Sequence, residues 1–436
     1  MNTSQKKDPE SGQVLILLTL AMVVLLGFLA LAIDGGMVYA DRRITQNAAD
    51  AAALAGAGDI ARNWGDAYED CASADAAAKS AAQNNAGSND FTLDPNLANQ
   101  NGVTTDCVYG IKFVDHIDVE VMITQETQTA LMHFVYNGPL INTVEAIARV
   151  YPSKPVGEGN SIISLTDECQ GNQKGTVFNG GIDVYISNGG GIFSNSCLIG
   201  GAQSGEVIVD DPGTISYFND DGYKPGNTSF SPPPQDVSAK NKPEVDQPDC
   251  SIYSSKTNMP GGDDVTIGPG LYKEIKMTNS HAALTMNAGL YCIEDGFTFN
   301  GESLNGSGIT IRITGDKKGV SISADAEVHL LAPPADCGGP CTGHAVEGVL
   351  LYVDPAHNVD VNLMGNSLST FSGTVYAPGS EIKIGGNPAV GDPNGTVDYT
   401  TQIIGDTVKV AGTSDVAIIY DENKFAHTHS KLEMAR

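Results

Sequence analysis

Basic and aromatic side chains are scarce in this chain of 436 residues. It has 24 lysine and arginine residues against 52 aspartate and glutamate residues, so the formal net charge is −28. This charge argues against a nucleic-acid binder, because contacts to phosphates need a basic patch. Aromatic residues make up only 6%, and Trp64 is the single tryptophan. Apolar residues still reach 41%, which is enough to build cores and argues against global disorder.

The sequence also lacks the short motifs of common enzymes and metal sites. It contains no H-E-x-x-H, no G-x-S-x-G, no Walker A motif and no D-x-[DN]-x-[DN]-G calcium loop. Three Asp-Asp doublets are present: Asp210-Asp211, Asp220-Asp221 and Asp263-Asp264. They could bind Ca²⁺ or serve acid/base chemistry, but solvated turn residues are the simplest interpretation. We therefore expect no catalytic residue, no cofactor and no metal site, with calcium as the alternative.

One long apolar run is present near the N-terminus. Residues 14–33 contain no charged side chain, and 20 helical residues span about 30 Å, the thickness of a bilayer core. A single transmembrane helix is the expected structure. A cleaved signal peptide is the alternative, because Ala30-Leu31-Ala32 fits the small-residue rule for cleavage. Lysines before the run and arginines after it leave the charge rule for orientation balanced, while the cysteines and acidic bulk favour a C-terminal part outside the cytoplasm.

The segment around this run carries a recognisable pattern. Its marks are Gly12, Gln13, Asp34, Gly35, Gly36, Tyr39, Arg42, Arg43, Gln46, Asn47, Ala48, Ala49, Asp50, Ala51, Ala52, Ala53, Leu54 and Ala55. With these residues the segment resembles the N-terminus of TadE/TadG-like proteins of the Flp (tight-adherence, Tad) pilus system. The resemblance implies an envelope-anchored accessory of a pilus apparatus. The alanine-rich face near 48–55 would then pack against pilus components, since small residues let helices approach closely.

Composition and periodicity divide the chain into six parts. We expect a cytoplasmic N-terminus at 1–13, the transmembrane helix at 14–33, and a stalk helix with a small α+β domain at 34–151. A linker at 152–160 precedes a β-helix-like domain at 161–420 and a polar tail at 421–436. Within the small domain, residues 117–124 and 142–150 alternate as strands do, and residues 127–137 have the pattern of a short amphipathic helix.

The glycine-rich region 161–420 consists of short apolar pieces between Gly, Asn and Asp turns. Gly270-Leu271-Tyr272 recurs as Gly289-Leu290-Tyr291, a spacing of 19 residues. Short strands at regular intervals indicate a solenoid or a sandwich. We predict a right-handed parallel β-helix, so that the whole chain is mostly β with an α N-terminus; a β-sandwich is the alternative. The region also resembles the glycine-rich β-helical part attached to many TadG-like proteins.

Eight cysteines fit an oxidising compartment, although they allow about 105 connectivities. Cys71 and Cys107 are the only two in the small domain, so we expect them to pair. For the others the simplest guess joins neighbours: Cys169 with Cys197, Cys250 with Cys292, and Cys337 with Cys341. The last pair could also be half of a metal site or a redox pair, but outside the cytoplasm a disulfide is favoured.

These observations favour a non-enzymatic, structural role in pilus assembly and surface attachment. The expected partners are a membrane and other pilus-assembly proteins, with surface polysaccharide as a further candidate and nucleic acid excluded. An adhesin that binds carbohydrate through the β-helix is the first alternative, and a polysaccharide-acting enzyme is the second. We expect a single-pass bacterial membrane protein with most of the chain periplasmic or extracellular.

Overall fold

The computed structural model describes residues 11–65, 67–68, 70–97, 100–110, 112–132, 138–169, 174–218, 222–388 and 396–435. The chain forms two compact units. Unit 1 comprises Met1–Ser153 and His429–Arg436, and unit 2 comprises Lys154–Thr428. Unit 2 is thus inserted in sequence between two pieces of unit 1.

Up to residue 236, the described residues form two α-helices and thirteen strands. They are α1 Ser11–Asn63, α2 Cys71–Gly87, β1 Gly102–Tyr109, β2 Val114–Thr127, β3 Leu140–Tyr151, β4 Asn160–Ser164, β5 Thr176–Asn179, β6 Val184–Ser187, β7 Gly191–Ser194, β8 Leu198–Ile199, β9 Gly205–Val209, β10 Ile215–Tyr217, β11 Tyr223–Lys224, β12 Thr228–Ser231 and β13 Gln235–Asp236.

From residue 256 onward, the described residues form seventeen more strands. They are β14 Lys256–Thr257, β15 Asp264–Ile267, β16 Gly270–Tyr272, β17 Ile275–Met277, β18 Ala283–Met286, β19 Gly289–Ile293, β20 Phe297–Phe299, β21 Ser303–Ser307, β22 Ile309–Ile313, β23 Val320–Ile322, β24 Glu327–Leu331, β25 Val349–Val353, β26 Val361–Asn366, β27 Thr370–Asn387, β28 Val397–Ala411, β29 Val416–Ile419 and β30 Lys431–Met434.

Unit 1 packs two alanine-rich helices together. Asp70 begins α2 as its N-cap and accepts a hydrogen bond from the backbone of Ser73 at 2.8 Å, as a capping box requires. Alanines recur on α2 at every fourth position, which places them on one buried face: Ala74, Ala78, Ala82 and Ala86. On α1, a Cβ added to Gly56 would lie 2.8 Å from the carbonyl oxygen of Ala78. The helices therefore approach as closely as small side chains allow.

The sheet of unit 1 is antiparallel, in the order β1-β2-β3-β30. One face of β2 and β3 is buried and packs against α1, with Val119, Val121 and Ala148 among the fully buried residues. Both strands alternate as expected from the sequence, although each is longer than predicted. Strand β1 was not predicted. The expected helix at 127–137 differs too, because Thr127 still belongs to β2, while residues 133–137 lie outside the described part of the chain.

The C-terminal residues also differ from the expected polar tail. Phe425 is fully buried in unit 2, and β30 pairs with β3 in unit 1, where Leu432 lies opposite Val150. Leu432 and Met434 of β30 are each 39% exposed, so the backbone pairing with β3 is what places this edge strand in the sheet. Ser153 donates a backbone hydrogen bond to the Ser430 hydroxyl at 3.2 Å, so the chain leaves and re-enters unit 1 at neighbouring points.

Unit 2 is a parallel β-helix, as predicted. Its strands form one 26-stranded sheet in which a strand usually pairs with the strand three places later, so that three strands make one coil. The described pairings within it are parallel, as between β19 and β22 and between β22 and β25. This excludes the β-sandwich alternative, whose sheets are antiparallel. The interior holds stacks of side chains such as Phe371 and Tyr399, whose ring centroids lie 4.9 Å apart.

The coils do not follow one another in chain order. Strand β28 pairs with β27 on one side and with β4 and β5 on the other, and β29 pairs with β6. The last coil of the chain therefore lies in the middle of the solenoid, between the coils that begin with β27 and β4. The two ends of the solenoid are formed by β10–β13 and by β14–β17.

Residues 237–253 connect these two ends by running along the outside of one face of the solenoid. We call this segment the strap. Its contacts succeed one another along the solenoid: Val237 bonds to Tyr217, Lys240 to Asn195, and the carbonyl of Pro243 accepts from the Tyr376 hydroxyl. Farther on, Tyr253 donates to the carbonyl of Leu290 at 2.8 Å. The strap covers an outward-facing apolar row that is buried for this reason: Ile163, Phe193, Tyr352, Tyr376 and Ile404.

Candidate interaction site on the anchor helix

Helix α1 has an exposed apolar N-terminal half and a C-terminal half that packs in the core of unit 1. Its N-terminal part exposes large apolar side chains, for example Val14 at 65%, Leu20 at 60% and Leu31 at 61%. This part is long and apolar enough to cross a membrane. The side chains of Gly12 and Gln13 lie outside the described part, although their backbone is helical. The continuous run of exposed apolar side chains ends near Asp34, where α1 begins to contact the rest of unit 1; beyond it, Met37 and Ile44 are still exposed.

Asp34 joins the end of the apolar run to a loop of unit 1. Its side chain is 1% exposed, and its carboxylate accepts hydrogen bonds from the backbone N–H groups of Ala130, at 2.7 Å, Leu131 and Met132. A carboxylate with several N–H donors is a strong, charge-assisted arrangement. Asp34 thereby fixes the loop after β2 to the point where the helix leaves its apolar segment.

Two further polar contacts secure α1 along the next turns. Asp41 accepts a hydrogen bond from the Thr127 hydroxyl at 2.7 Å. Gln46 donates to the carboxylate of Asp50 at 2.8 Å and to the carbonyl of Glu145 on β3 at 3.1 Å. Thr127 and the loop at 130–132 were not singled out from the sequence. Their partners lie about 90 residues away in the chain, and helical spacing alone carries no information on such contacts.

The alanine-rich face lies inside unit 1, which differs from the expected exposed packing face. Four of its alanines are 0–3% exposed: Ala48, Ala49, Ala52 and Ala53. They belong to one core with α2 and the sheet. Ala51 and Ala55 are half-buried, as is Asp50. The small side chains therefore serve the close packing of α1 within its own chain.

The opposite face of α1 presents a second row of residues to solvent, and all of them except Ala40 belong to the motif. Gly36, Ala40, Arg43, Asn47 and Leu54 are spaced by four, three, four and seven residues, so they share one side of the helix. Tyr39 and Ile44 are exposed neighbours that widen this outward row, whereas Gly35 and Arg42 are exposed but spaced by seven residues in line with the buried Ala49. Tyr39 is 69% exposed and Leu54 is 36% exposed. Helical periodicity alone would have distinguished these two faces of α1 in the sequence, but it does not say which of the two faces is buried.

Four disulfides join the cysteines in neighbouring pairs. Cys71 is bonded to Cys107, with a Cα–Cα distance of 6.3 Å, and Cys250 is bonded to Cys292 at 6.0 Å. Cys169 pairs with Cys197 at 5.3 Å, and Cys337 pairs with Cys341 at 5.4 Å. The first bond ties α2 to β1, and the second fixes the end of the strap to β19. These are the pairs named from the sequence.

Acidic and thiol groups are not arranged as a metal site in the described part of the chain. The one group of three candidate ligands there is Cys337, Cys341 and Glu347, and its two sulfur atoms are joined in a disulfide. Thiolates are the form that binds metal, so this group offers one carboxylate. The doublets at 210–211 and 263–264 are exposed, and the doublet at 220–221 lies outside the described residues.

Comparison with known proteins gives one match. Residues 12–59 match a family model described as putative Flp pilus-assembly TadE/G-like. The match covers the apolar run, Asp34, and both the buried and the outward rows of α1, and it supports a pilus-related role and association with a membrane. Neither the curated proteins nor the solved structures contain a match to the chain.

Proposed function

We propose that the protein is a membrane-anchored accessory of a Flp/Tad-type pilus apparatus, with a structural role in assembly and surface attachment. The observation that carries this proposal is the division of α1. The matched segment contains an exposed apolar half, and beyond it a helix with one face buried in unit 1 and one outward row. A helix built in this way can present its outward row to a partner at the membrane while unit 1 holds it in place.

The outward row is the surface that we assign to other pilus-assembly proteins. It combines small residues with Tyr39, Arg43 and Asn47, which supply an aromatic ring, a cation and an amide. Aromatic and arginine side chains are enriched at protein interfaces. The role is non-enzymatic in this proposal, since the motif residues make packing and positioning contacts.

We further propose that the chain beyond α1's apolar half lies outside the cytoplasm. Four disulfides support this orientation, because such bonds persist in oxidising compartments. The net charge of −28 suits a solvated envelope domain.

The proposal is tested by deleting the gene and scoring surface pili and attachment. A second strain should carry a chain in which residues 154–428 are replaced by a short Gly-Ser linker. This deletion keeps β30, whose loss would remove an edge strand of unit 1, and it joins points that lie side by side at Ser153 and Ser430. We expect the gene deletion to abolish pili and the unit 2 deletion to keep pili but reduce attachment.

Normal pili and normal attachment in both strains would exclude the proposal. The control is the amount of each protein in the membrane fraction, together with oxidation of the Cys71–Cys107 bond as a measure of a folded unit 1.

A carbohydrate-binding adhesin is the second candidate, and the end of the solenoid at β10–β12 favours it. Tyr217 and Tyr223 stack there with ring centroids 5.8 Å apart, and Phe218 and Tyr223 remain 43% and 38% exposed. Exposed rings can stack on sugars. If this surface is the adhesive one, Tyr223→Ala should reduce attachment with pilus number unchanged, and Tyr185→Ala, which removes a 41% exposed ring elsewhere, should not.

A further inference from the structure

A cavity of about 410 Å³ lies where the strap crosses the coil that begins with β4. Its walls come from the segment before β4 and from strap residues 239–243. Val156 and Ile163 supply the apolar part of the lining, and both belong to the buried apolar cluster that contains the row under the strap. The cavity lies entirely in unit 2.

Three lysines line this cavity, in a chain that carries more than twice as many acids as bases. Lys154 lies 3.0 Å and Lys240 lies 3.5 Å from the carboxylate of Glu158, the one acid in the lining. Burial would raise the pKa of Glu158, but the hydrogen bonds and charges of the two lysines lower it. Glu158 is therefore ionised and neutralises one of the three positive charges.

The third lysine, Lys242, has no such partner. Within the described residues it makes no hydrogen bond or ion pair, and the acid that affects it, Asp354, is already 3.8 Å from Arg312. Although the side chain as a whole is exposed, desolvation lowers the pKa of its ammonium group. Lys240 and Lys242 both line the cavity, as does Asn241 between them.

The position of Lys240 is fixed by three separate contacts. Its backbone N–H donates to the side chain of Asn195 at 2.9 Å, its ammonium group lies 5.1 Å from the centroid of Phe193, and it pairs with Glu158. A lysine has three N–H donors, so donors remain for a further acceptor. The cavity thus has a net charge of about +2, counting three lysines against one carboxylate.

We propose that this cavity binds a small molecule or chain end through one compact anionic group, a carboxylate or a phosphate, held between the ammonium groups of Lys240 and Lys242. The anion accepts hydrogen bonds from both ammonium groups, which are charge-assisted and stronger than neutral ones. The rest of the ligand lies on Val156 and Ile163. The volume fits a ligand of sugar size, at the lower end of the usual range of about 300–1,000 Å³.

The test is isothermal titration of the full-length chain in detergent micelles with three probes: D-galacturonate, inorganic phosphate and D-galactose. Galactose has the size of galacturonate and no charge, so it separates charge from shape. We expect one or both anions to bind and galactose not to bind. Lys242→Gln should weaken the binding about tenfold or more, as the loss of one charge-assisted hydrogen bond predicts.

The matched control is Lys276→Gln, which removes an exposed lysine of β17 that does not line the cavity. It should leave the affinity unchanged. Because Lys242 holds no structural partner, Lys242→Gln should fold normally, which the thermal unfolding curve will verify. Lys240→Gln is a second variant and should also weaken binding.

Binding of galacturonate alone would identify a carboxylated sugar as the ligand class, and binding of phosphate alone would identify a phosphate ester. Failure of both anions to bind would overturn the proposal. So would equal affinities for the wild type, Lys242→Gln and Lys276→Gln. These results are independent of the pilus role, since they are measured on the purified protein.

Discussion

At the scale of single residues, Asp34 has the clearest structural role in the anchor segment. It is a buried carboxylate that accepts from three consecutive backbone N–H groups, including that of Ala130 at 2.7 Å. The sequence indicates its importance through its place at the end of the apolar run. It does not reveal the loop at 130–132, because the contact spans almost a hundred residues and depends on how β2 ends.

We predict that Asp34→Asn destabilises unit 1 by about 2–4 kcal/mol, because a neutral amide accepts fewer and weaker hydrogen bonds and leaves buried donors unpaired. Amide hydrogen exchange at residues 130–132 should become faster. The control is Asp106→Asn, which changes an exposed acid on β1. Unchanged exchange in Asp34→Asn would contradict the assigned role.

A second prediction at this scale concerns pH. Arg149 contacts both carboxylate oxygens of Asp118, at 2.7 and 2.8 Å, and these hydrogen bonds hold the pKa of Asp118 below its usual range. A depressed pKa stabilises the fold above the unfolded-state pKa, and this stabilisation is lost as the pH falls through the folded-state pKa.

Asp118→Asn should therefore cost about 1 kcal/mol of unfolding free energy at neutral pH, a value reduced for partial exposure of the pair. The cost should shrink as the pH falls below about 4, where the free carboxyl group begins to take up its proton. Chemical unfolding of the full chain at several pH values measures it. A cost that does not change with pH would show that packing, and not charge, is responsible.

At the scale of elements, α1 has one face that is buried in unit 1 and one face that is exposed to solvent. The sequence predicts a helix with small residues near 48–55, and that prediction is confirmed for the helix itself. Which partner covers the alanines could not be predicted, because alanine packs equally well against a neighbouring protein or against the same chain. The structure shows Ala52 and Gly56 buried against α2 and the sheet, while Asn47 and Leu54 face outward.

Gly56 gives a prediction in which two effects oppose each other. Replacing a helical glycine by alanine normally stabilises a helix by about 1 kcal/mol. At Gly56 the new Cβ would lie 2.8 Å from the Ala78 carbonyl oxygen and 3.0 Å from Val119, so α1 and α2 would have to move apart. We expect Gly56→Ala to lower the thermal stability of unit 1, since overpacking costs about 1–3 kcal/mol.

Gly36→Ala is the matched control, because a Cβ at Gly36 meets nothing within 4 Å. It should raise stability or leave it unchanged. If both glycine variants shift the melting temperature upward, the close approach of α1 and α2 described above is wrong.

At the scale of the whole molecule, the order of the coils is the main feature that the sequence did not predict. Short strands and turn glycines indicated a parallel β-helix, and the repeated Gly-Leu-Tyr marked two adjacent coils. In the structure Gly270 of β16 lies opposite Tyr291 of β19. Each coil presents similar backbone N–H and C=O groups to the coils on both of its sides. Local repeats therefore cannot reveal that β28 pairs with β4.

This coil order predicts which strands of unit 2 become less stable when a buried residue is replaced. Ile403 of β28 lies between Val375 of β27 and Ile162 of β4, whereas Ile275 belongs to the end coil. Both isoleucines are 0% exposed, so an alanine at either position should cost about 2–5 kcal/mol. Ile275→Ala should increase hydrogen exchange in β14–β17, and Ile403→Ala should increase it in both β27 and β4. Confinement of the Ile403→Ala effect to β28 and β29 would contradict the coil order.

The central claim is that the outward row of α1 contacts a component of the pilus apparatus while its alanine face does not. A photo-crosslinking amino acid at Asn47, with the same amino acid at the buried Ala52 as the matched control, tests this claim in living cells. We predict a crosslink from position 47 to a membrane protein of the pilus apparatus, identified by mass spectrometry, and only crosslinks within the chain from position 52. Crosslinks to pilus components from position 52 and none from position 47 would contradict the account.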